Sequence, residues 1–263
     1  MSNYNILFLD IDGTILKSDH TIDPSTKDAI QQVKEKGIEV FLATGRPLHE
    51  LANISKELDV HSFIGYNGAY AVYKDEEIIN EPMNPDTVDF YLDVAKKHNH
   101  DMVLYTSNAN TFTSLENKSV KVFSDIFNLQ KNTLFNSDVR ADILGITLIN
   151  IGEGAYKLYH KPEEDIYFSQ VNVPNLKDSY DVIRENVNKG RAIKHILDML
   201  QLSPDRAIAF GDGMNDKQML QYVGESFAMG NANPELFSYA KRTTTSVDDD
   251  GIFNGLKTLG LVE

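Results

Sequence analysis

The run Ile6-Leu7-Phe8-Leu9, closed at once by Asp10-Ile11-Asp12-Gly13-Thr14, constrains this chain more than any other stretch. Four consecutive apolar residues suit a strand covered on both faces, as strands are inside a parallel sheet. Such a strand gains nothing structural by ending in two carboxylates two residues apart. Buried charge costs free energy unless it is paired or coordinated. The two acids therefore point to chemistry at the end of a buried strand.

The residues that follow repeat the alternation of strand and helix. Asp23-Pro24 reads as an N-cap and first helical position, and Gly37 as the stop of the helix between them. "IEVFLATGR" is a second buried strand running into Gly45, and a helix is expected over about 47–58. "SFIGYNGAY" is a third strand that ends in the turn signal Asn67-Gly68. Strand and helix in alternation make a doubly wound parallel sheet. Near residue 80 the texture changes: two prolines lead into an amphipathic helix, then "DMVLYTSNANTFTS" reads as a hairpin, and strands and helices mix up to about 187. From "NKGRAIKHILDMLQLSPDRAIAFGDGMND" the first rhythm returns, with a helix at 190–200, a strand at 206–211 and a helix at 215–222. The expected fold is α/β, a Rossmann-like doubly wound parallel-sheet core (1–82 and 187–263) with an inserted α+β domain at 83–186.

Composition excludes several classes of function. The chain has 263 residues, a net charge of −14 and no basic stretch to offset it, which argues against a general nucleic-acid binder. It has no cysteine, hence no disulfide, thiolate metal site or cysteine nucleophile. The seven histidines are scattered without metal-ligand spacing. No apolar stretch reaches the roughly 20 residues of a membrane helix. The N-terminus enters a strand with no signal-peptide core, so the expectation is a cytoplasmic protein with no membrane partner.

Four segments place polar groups where a predicted strand ends or a helix begins, the edge at which open α/β sheets bind ligands. They are Asp10-Ile11-Asp12-Gly13-Thr14, Thr44-Gly45-Arg46, Asn188-Lys189-Gly190 and Gly211-Asp212-Gly213-Met214-Asn215-Asp216. Taken singly, each has an ordinary structural explanation. A lone D-x-D is common turn chemistry, and a glycine-rich turn with an Asn or Asp cap needs no ligand.

Together, in this order and spacing, they resemble the four motifs of the haloacid dehalogenase-like superfamily of phosphohydrolases. An insert between the second and third motifs resembles the Cof-type sugar-phosphate-phosphatase branch with its large α/β cap. The Asn67-Gly68 turn and "SVDDDGIF" near the C-terminus are similar to the family as well. The resemblance implies a Mg²⁺ cofactor held by the Asp10 side chain, the Asp12 backbone carbonyl and Asp212, with Asp216 orienting the outer shell and pairing with Lys189. It implies a cap that closes over the site and selects a small phosphomonoester.

The chemistry of phosphoryl transfer asks for the same parts. The transferring group carries negative charge on its oxygens, so a site must neutralise it and hold a nucleophile in line. Asp10 suits a carboxylate nucleophile that forms an aspartyl-phosphate. Asp12, in a turn made tight by Gly13, suits the acid that protonates the leaving oxygen and then the base that activates water. Two carboxylates and a phosphate require a hard cation, and Mg²⁺ takes oxygen ligands of this kind. Thr44 offers a hydroxyl, Gly45 a backbone N–H near a helix start, and Lys189 a point charge for the phosphoryl group. Asn215 is assigned to the phosphate and Arg46 to the substrate or the cap. A phosphomutase with the same chemistry stays open as an alternative. So does a phospho-aspartate switch or binding protein, although a base at Asp12 would shorten the life of its acyl phosphate.

Overall fold

The run Ile6–Leu9 forms β1, and all four of its side chains are fully buried. The computed structural model describes residues 4–171 and 173–263. After β1 the chain enters α1 (Pro24–Glu35), where Asp23 accepts the Ser25 N–H at 3.3 Å and Pro24 takes the first helical position. Then come β2 (Glu39–Ala43), α2 (Ala52–Leu58), β3 (Phe63–Gly65), β4 (Tyr70–Tyr73) and β5 (Glu76–Asn80). The continuous helix expected over 47–58 is absent. One turn of 3₁₀ helix at Leu48–Glu50 precedes the shorter α2. Side chains explain this: Glu50 accepts from Asn110 Nδ2 at 2.7 Å and from the Gln130 N–H at 3.0 Å. His49 Nε2 lies 3.0 Å from Asn110 Oδ1. These distant partners hold 48–50 in a conformation that local helix preference would not select.

The middle of the chain contains α3 (Pro85–His98), β6 (Asp101–Tyr105), β7 (Asn110–Phe112), α4 (Lys118–Ile126), β8 (Asn132–Leu134), β9 (Gly145–Ile149), β10 (Ile166–Gln170) and β11 (Tyr180–Arg184). The last third contains α5 (Lys189–Met199), β12 (Ala207–Gly211), α6 (Lys217–Tyr222), β13 (Glu225–Ala228), β14 (Arg242–Thr243) and α7 (Gly251–Thr258). The chain groups into two compact units, one of Met1–Arg46, Asn53–Ile79 and Asn188–Glu263, the other of Pro47–Ala52 and Asn80–Val187.

The first unit is built on an eight-stranded sheet in the order β14-β13-β12-β1-β2-β3-β4-β5. The strands from β14 to β3 run parallel, and β4 turns back antiparallel to β3. β1 lies between β2 and β12, with Leu9 level with both Leu42 and Phe210. Strand order therefore reverses around β1, the place in such a sheet where a crevice opens beyond the carboxyl ends. Ile6 and Phe8 pack with Ile193 and Ile196 of α5 and Met219 and Leu220 of α6. The helices α1 and α7 pack against each other.

The second unit is an α+β layer on a six-stranded sheet in the order β10-β11-β9-β6-β7-β8. All of its pairs are antiparallel except β7 with β8. Alternate residues of β6 serve different cores, as the two faces of a strand require. Met102 and Leu104 pack with Val88, Tyr91 and Ala95 of α3, and Val103 packs with Val120 and Phe123 of α4. Arg184 joins the two ends of this unit by donating to the carbonyl oxygens of Glu81 and Leu144. Among the described residues no helix is long and apolar enough to cross a membrane.

Candidate active site

The carboxyl ends of β1, β2 and β12 and the first turn of α5 hold the charged residues of the first unit's centre. Asp10 follows the last residue of β1 and is 5% exposed; its N–H donates to Phe210 O on the neighbouring strand at 3.1 Å. Lys189 opens α5 and is wholly buried. A cation at a helix N-terminus is opposed by the macrodipole, and here two carboxylates overcome that opposition. Lys189 Nζ donates to Asp10 Oδ1 at 2.5 Å and to Asp216 Oδ1 at 2.6 Å. Asn188 caps the helix by accepting the Arg191 N–H at 2.9 Å.

Asp216 is also wholly buried and uses both oxygens. While Oδ1 accepts from Lys189, Oδ2 accepts the backbone N–H groups of Asp212 and Gly213, each at 3.0 Å. This folding back needs Gly211, where an added Cβ would stand 2.6 Å from the Asp216 side chain. Gly13 has the same close role on the other side. Its φ is +79°, and a Cβ there would lie 2.3 Å from Asp212 Oδ2. The Thr14 hydroxyl donates to Asp212 Oδ1 at 3.2 Å.

One oxygen each of Asp10, Asp212 and Asp216 lies within 4.8 Å of the others. Three carboxylates beside one ammonium leave an excess of negative charge, and the electrostatics register it. Burial, followed by the nearby Asp216, pushes the Asp10 carboxyl well above the usual range, against the pull of Lys189. Burial and then Asp216 push Asp212 up to about 6. Burial alone would lower Lys189, but Asp10 and Asp216 together hold it above the usual lysine range, so it stays charged at neutral pH. With all three acids ionised the excess is two charges, which one divalent cation cancels. Buried carboxylate oxygens are the donors that hard divalent cations take. The residues fit such an ion.

The second acid of the opening motif is placed differently. The Asp12 carboxylate accepts from Arg46 through both oxygens, the Nε contact at 2.7 Å. The pair is open to solvent, with side chains 53% and 32% exposed. Thr44 is buried, and its hydroxyl accepts the Arg46 N–H at 3.0 Å, which turns the chain after β2. Gly45 lies against the Asn67 side chain. Asn215 donates to Asn67 Oδ1 at 3.1 Å. Tyr66 and Asn67 both have positive φ, 52° and 55°, an uncommon state for a bulky tyrosine and one that occurs where a site dictates the backbone.

The structure thus gathers buried Asp10, Asp216 and Lys189 and half-buried Asp212 into one cluster. It sets Asp12 with Arg46, and Asn215 with Asn67, outside that cluster's bonds. Thr14 and Asn67 lie within the motifs without a chemical role that the sequence alone assigns, although their motif neighbours are the signal. Asn231, which donates to Gly13 O at 2.8 Å, carries no local signal at all.

The chain matches known proteins over nearly its whole length. Residues 7–256 match the family model described as haloacid dehalogenase-like hydrolase. The chain is 33% identical to "Putative phosphatase YkrA" of Bacillus subtilis, an alignment covering 98% of each protein. It is 27% identical, over 96% of each, to the 5-amino-6-(5-phospho-D-ribitylamino)uracil phosphatase YitU of the same organism. The crystal structure of a hypothetical protein from Geobacillus kaustophilus HTA426 superposes with a TM-score of 0.90 at 28% identity, covering 98% of this chain and 100% of that one. The chain belongs to the haloacid dehalogenase-like hydrolase family.

Proposed function

We propose that the chain is a Mg²⁺-dependent phosphatase that hydrolyses a small phosphomonoester, a sugar phosphate or a close equivalent, through an aspartyl-phosphate on Asp10. The observation that carries this reading is the buried Asp10–Lys189–Asp216 cluster at the end of the central strand, with a second, releasable acid two residues on. Asp10 and Asp212 would hold the ion with the Asp12 carbonyl, and Asp216 would fix Asp212 and Lys189 in place. When bound, Mg²⁺ supplies positive charge facing the phosphoryl oxygens and cancels the excess charge of the acids.

The chain's own groups then divide the work. Lys189 holds the Asp10 carboxylate in one orientation and adds charge beside the transferring group. An Asp10 oxygen forms a bond to phosphorus while the bond from phosphorus to the ester oxygen breaks. Asp12 exchanges Arg46 for that oxygen and gives it a proton. In the second half Asp12 takes a proton from a water that attacks phosphorus, the bond to Asp10 breaks, and inorganic phosphate leaves. Thr44, Gly45 and Asn215 bind phosphate oxygens, Arg46 reaches the substrate, and residues 83–186 act as the cap that selects it, with 1–82 and 187–263 as the core.

The test is phosphate release from a panel of small phosphomonoesters, with Mg²⁺ and with EDTA, for the wild type and Asp10→Asn. The proposal expects release that needs both the metal and Asp10. Release unaffected by Asp10→Asn would refute it, and an isomeric sugar phosphate in place of free phosphate would make the protein a mutase.

A further inference from the structure

A turn after β13 ties together three backbone segments of the site, and the chemistry above makes no use of it. Its main-chain N–H groups reach β12 and the loop before α7. Met229 N–H donates to Gly211 O at 3.0 Å, Asn233 N–H to Asp212 O at 2.9 Å, and Gly230 N–H to Thr245 O at 3.0 Å. The side chain at its centre reaches further. Asn231 Nδ2 donates to Gly13 O at 2.8 Å, and Asn231 Oδ1 accepts the Val247 N–H at 2.8 Å. The two partners settle the amide's orientation: Val247 N–H can only donate and Gly13 O can only accept, so oxygen faces the first and nitrogen the second.

The bond to Gly13 falls on the peptide that most needs holding. Gly13 sits at positive φ, and glycine leaves the peptide after it the greatest rotational freedom in the turn. Its N–H is fixed on Leu16 O at 2.9 Å, and the Thr14 side chain on Asp212. Asn231 fixes the carbonyl between them. The far end of the bridge is itself anchored, since Gly251 N–H donates to Ser246 O at 3.0 Å and the Ser25 hydroxyl donates to Asp250 Oδ1 at 2.6 Å. This gives a structural purpose to "SVDDDGIF": its backbone is the fixed point from which Asn231 reaches the turn that bears Asp12.

We infer that Asn231 is a positioning residue for Asp12, holding the Gly13 carbonyl so that the turn aims Asp12 at the leaving oxygen. The inference rests on the reading of Asp12 as general acid. Asn231→Asp isolates the bond, because it keeps an acceptor for Val247 N–H and replaces the donor that faces Gly13 O.

The test compares kcat/KM for an alkyl phosphate, whose leaving oxygen needs a proton, with p-nitrophenyl phosphate, whose leaving group does not. If Asn231 aims Asp12, Asn231→Asp lowers kcat/KM for the alkyl phosphate by about tenfold or more and for the nitrophenyl ester by less than about threefold, since small displacements of a catalytic group cost rate steeply. Asn231→Ala, which removes both bonds, should show the same selectivity, and it stands in if the aspartate variant fails to fold by circular dichroism. Equal losses on the two esters, or no loss, in a folded variant overturn the inference. Asp12→Asn run beside them separates the two claims. If it shows the leaving-group selectivity and the Asn231 variants do not, only the role of Asn231 falls. If it shows none, the acid role of Asp12 falls and the role of Asn231 with it.

Discussion

Asp10 and Asp12 stand two residues apart in one loop, yet they occupy opposite electrical situations. Asp10 is 5% exposed and shares a wholly buried lysine with Asp216, while Asp12 is paired with Arg46 where solvent reaches both. The buried arrangement is held by the fully covered strand β1 and by a helix start, and neither partner has water to turn to. The exposed pair can exchange its partner for water at little cost. A nucleophile has to stay aimed, whereas a group that first gives a proton and then takes one gains from being able to move. On the proposed mechanism, the contrast gives two acids of identical chemistry in one motif different tasks.

The contrast is most directly broken at its buried end. Lys189→Met leaves two buried carboxylates without their cation, and removing one partner of a buried pair costs about 3–5 kcal/mol. Urea unfolding of the metal-free variant should show a loss of that size, with phosphatase activity down by at least about 10²-fold because a preorganised charge is gone. Saturating divalent cation should recover part of the stability, since it neutralises the same acids.

Proton competition should appear next in size. With Asp212 pushed up to about 6, the affinity for Mg²⁺ measured by calorimetry should hold steady above pH 7 and weaken by about tenfold per unit below about pH 6. The sign for stability runs the other way in the metal-free protein. A carboxyl raised on folding binds its proton more tightly in the folded state, so its contribution grows as pH falls toward the unfolded value and is lost as pH rises through about 6. Half-buried Asp23, lowered chiefly by the hydrogen bond from Lys17, acts in the opposite sense. The difference between wild type and Asp212→Asn in thermal unfolding at pH 5 and pH 8 isolates the contribution of Asp212.

At the exposed end, Arg46→Ala should change stability by no more than about 1 kcal/mol. It should lower kcat/KM by about tenfold, close to 1.4 kcal/mol of barrier. A loss of stability like that of Lys189→Met would erase the distinction between the two acids. The smallest effect is expected in the second unit, where Lys121 and Glu116 pair in full view of solvent. Lys121→Ala should leave both unfolding and turnover unchanged within error.

Much of the first unit could be read from the chain because its signals are local. The strand at Ile6–Leu9, the cap at Asp23 and the glycine loop at 211–216 each depend on neighbours a few residues away. Lys189 was legible only through the resemblance of the four motifs, since a lysine at a helix start is locally unfavourable and its reasons, Asp10 and Asp216, lie 179 and 27 residues off. The late start of the helix expected over 47–58 has the same origin, with Glu50 and His49 bound to residues around 110 and 130. Asn231 marks the limit: its partner Gly13 is 218 residues away, and an exposed asparagine in a turn announces nothing.

The division of labour between the two acids is tested most directly by trapping the intermediate. Asp12→Ala mixed with p-nitrophenyl phosphate and Mg²⁺ keeps the nucleophile and a leaving group that needs no proton, but lacks the base for the second half. Acid quenching and peptide mapping should then find phosphate on residue 10, persisting far longer than in the wild type. Phosphate on a different residue, or none on Asp10 while nitrophenol is released, would contradict the account.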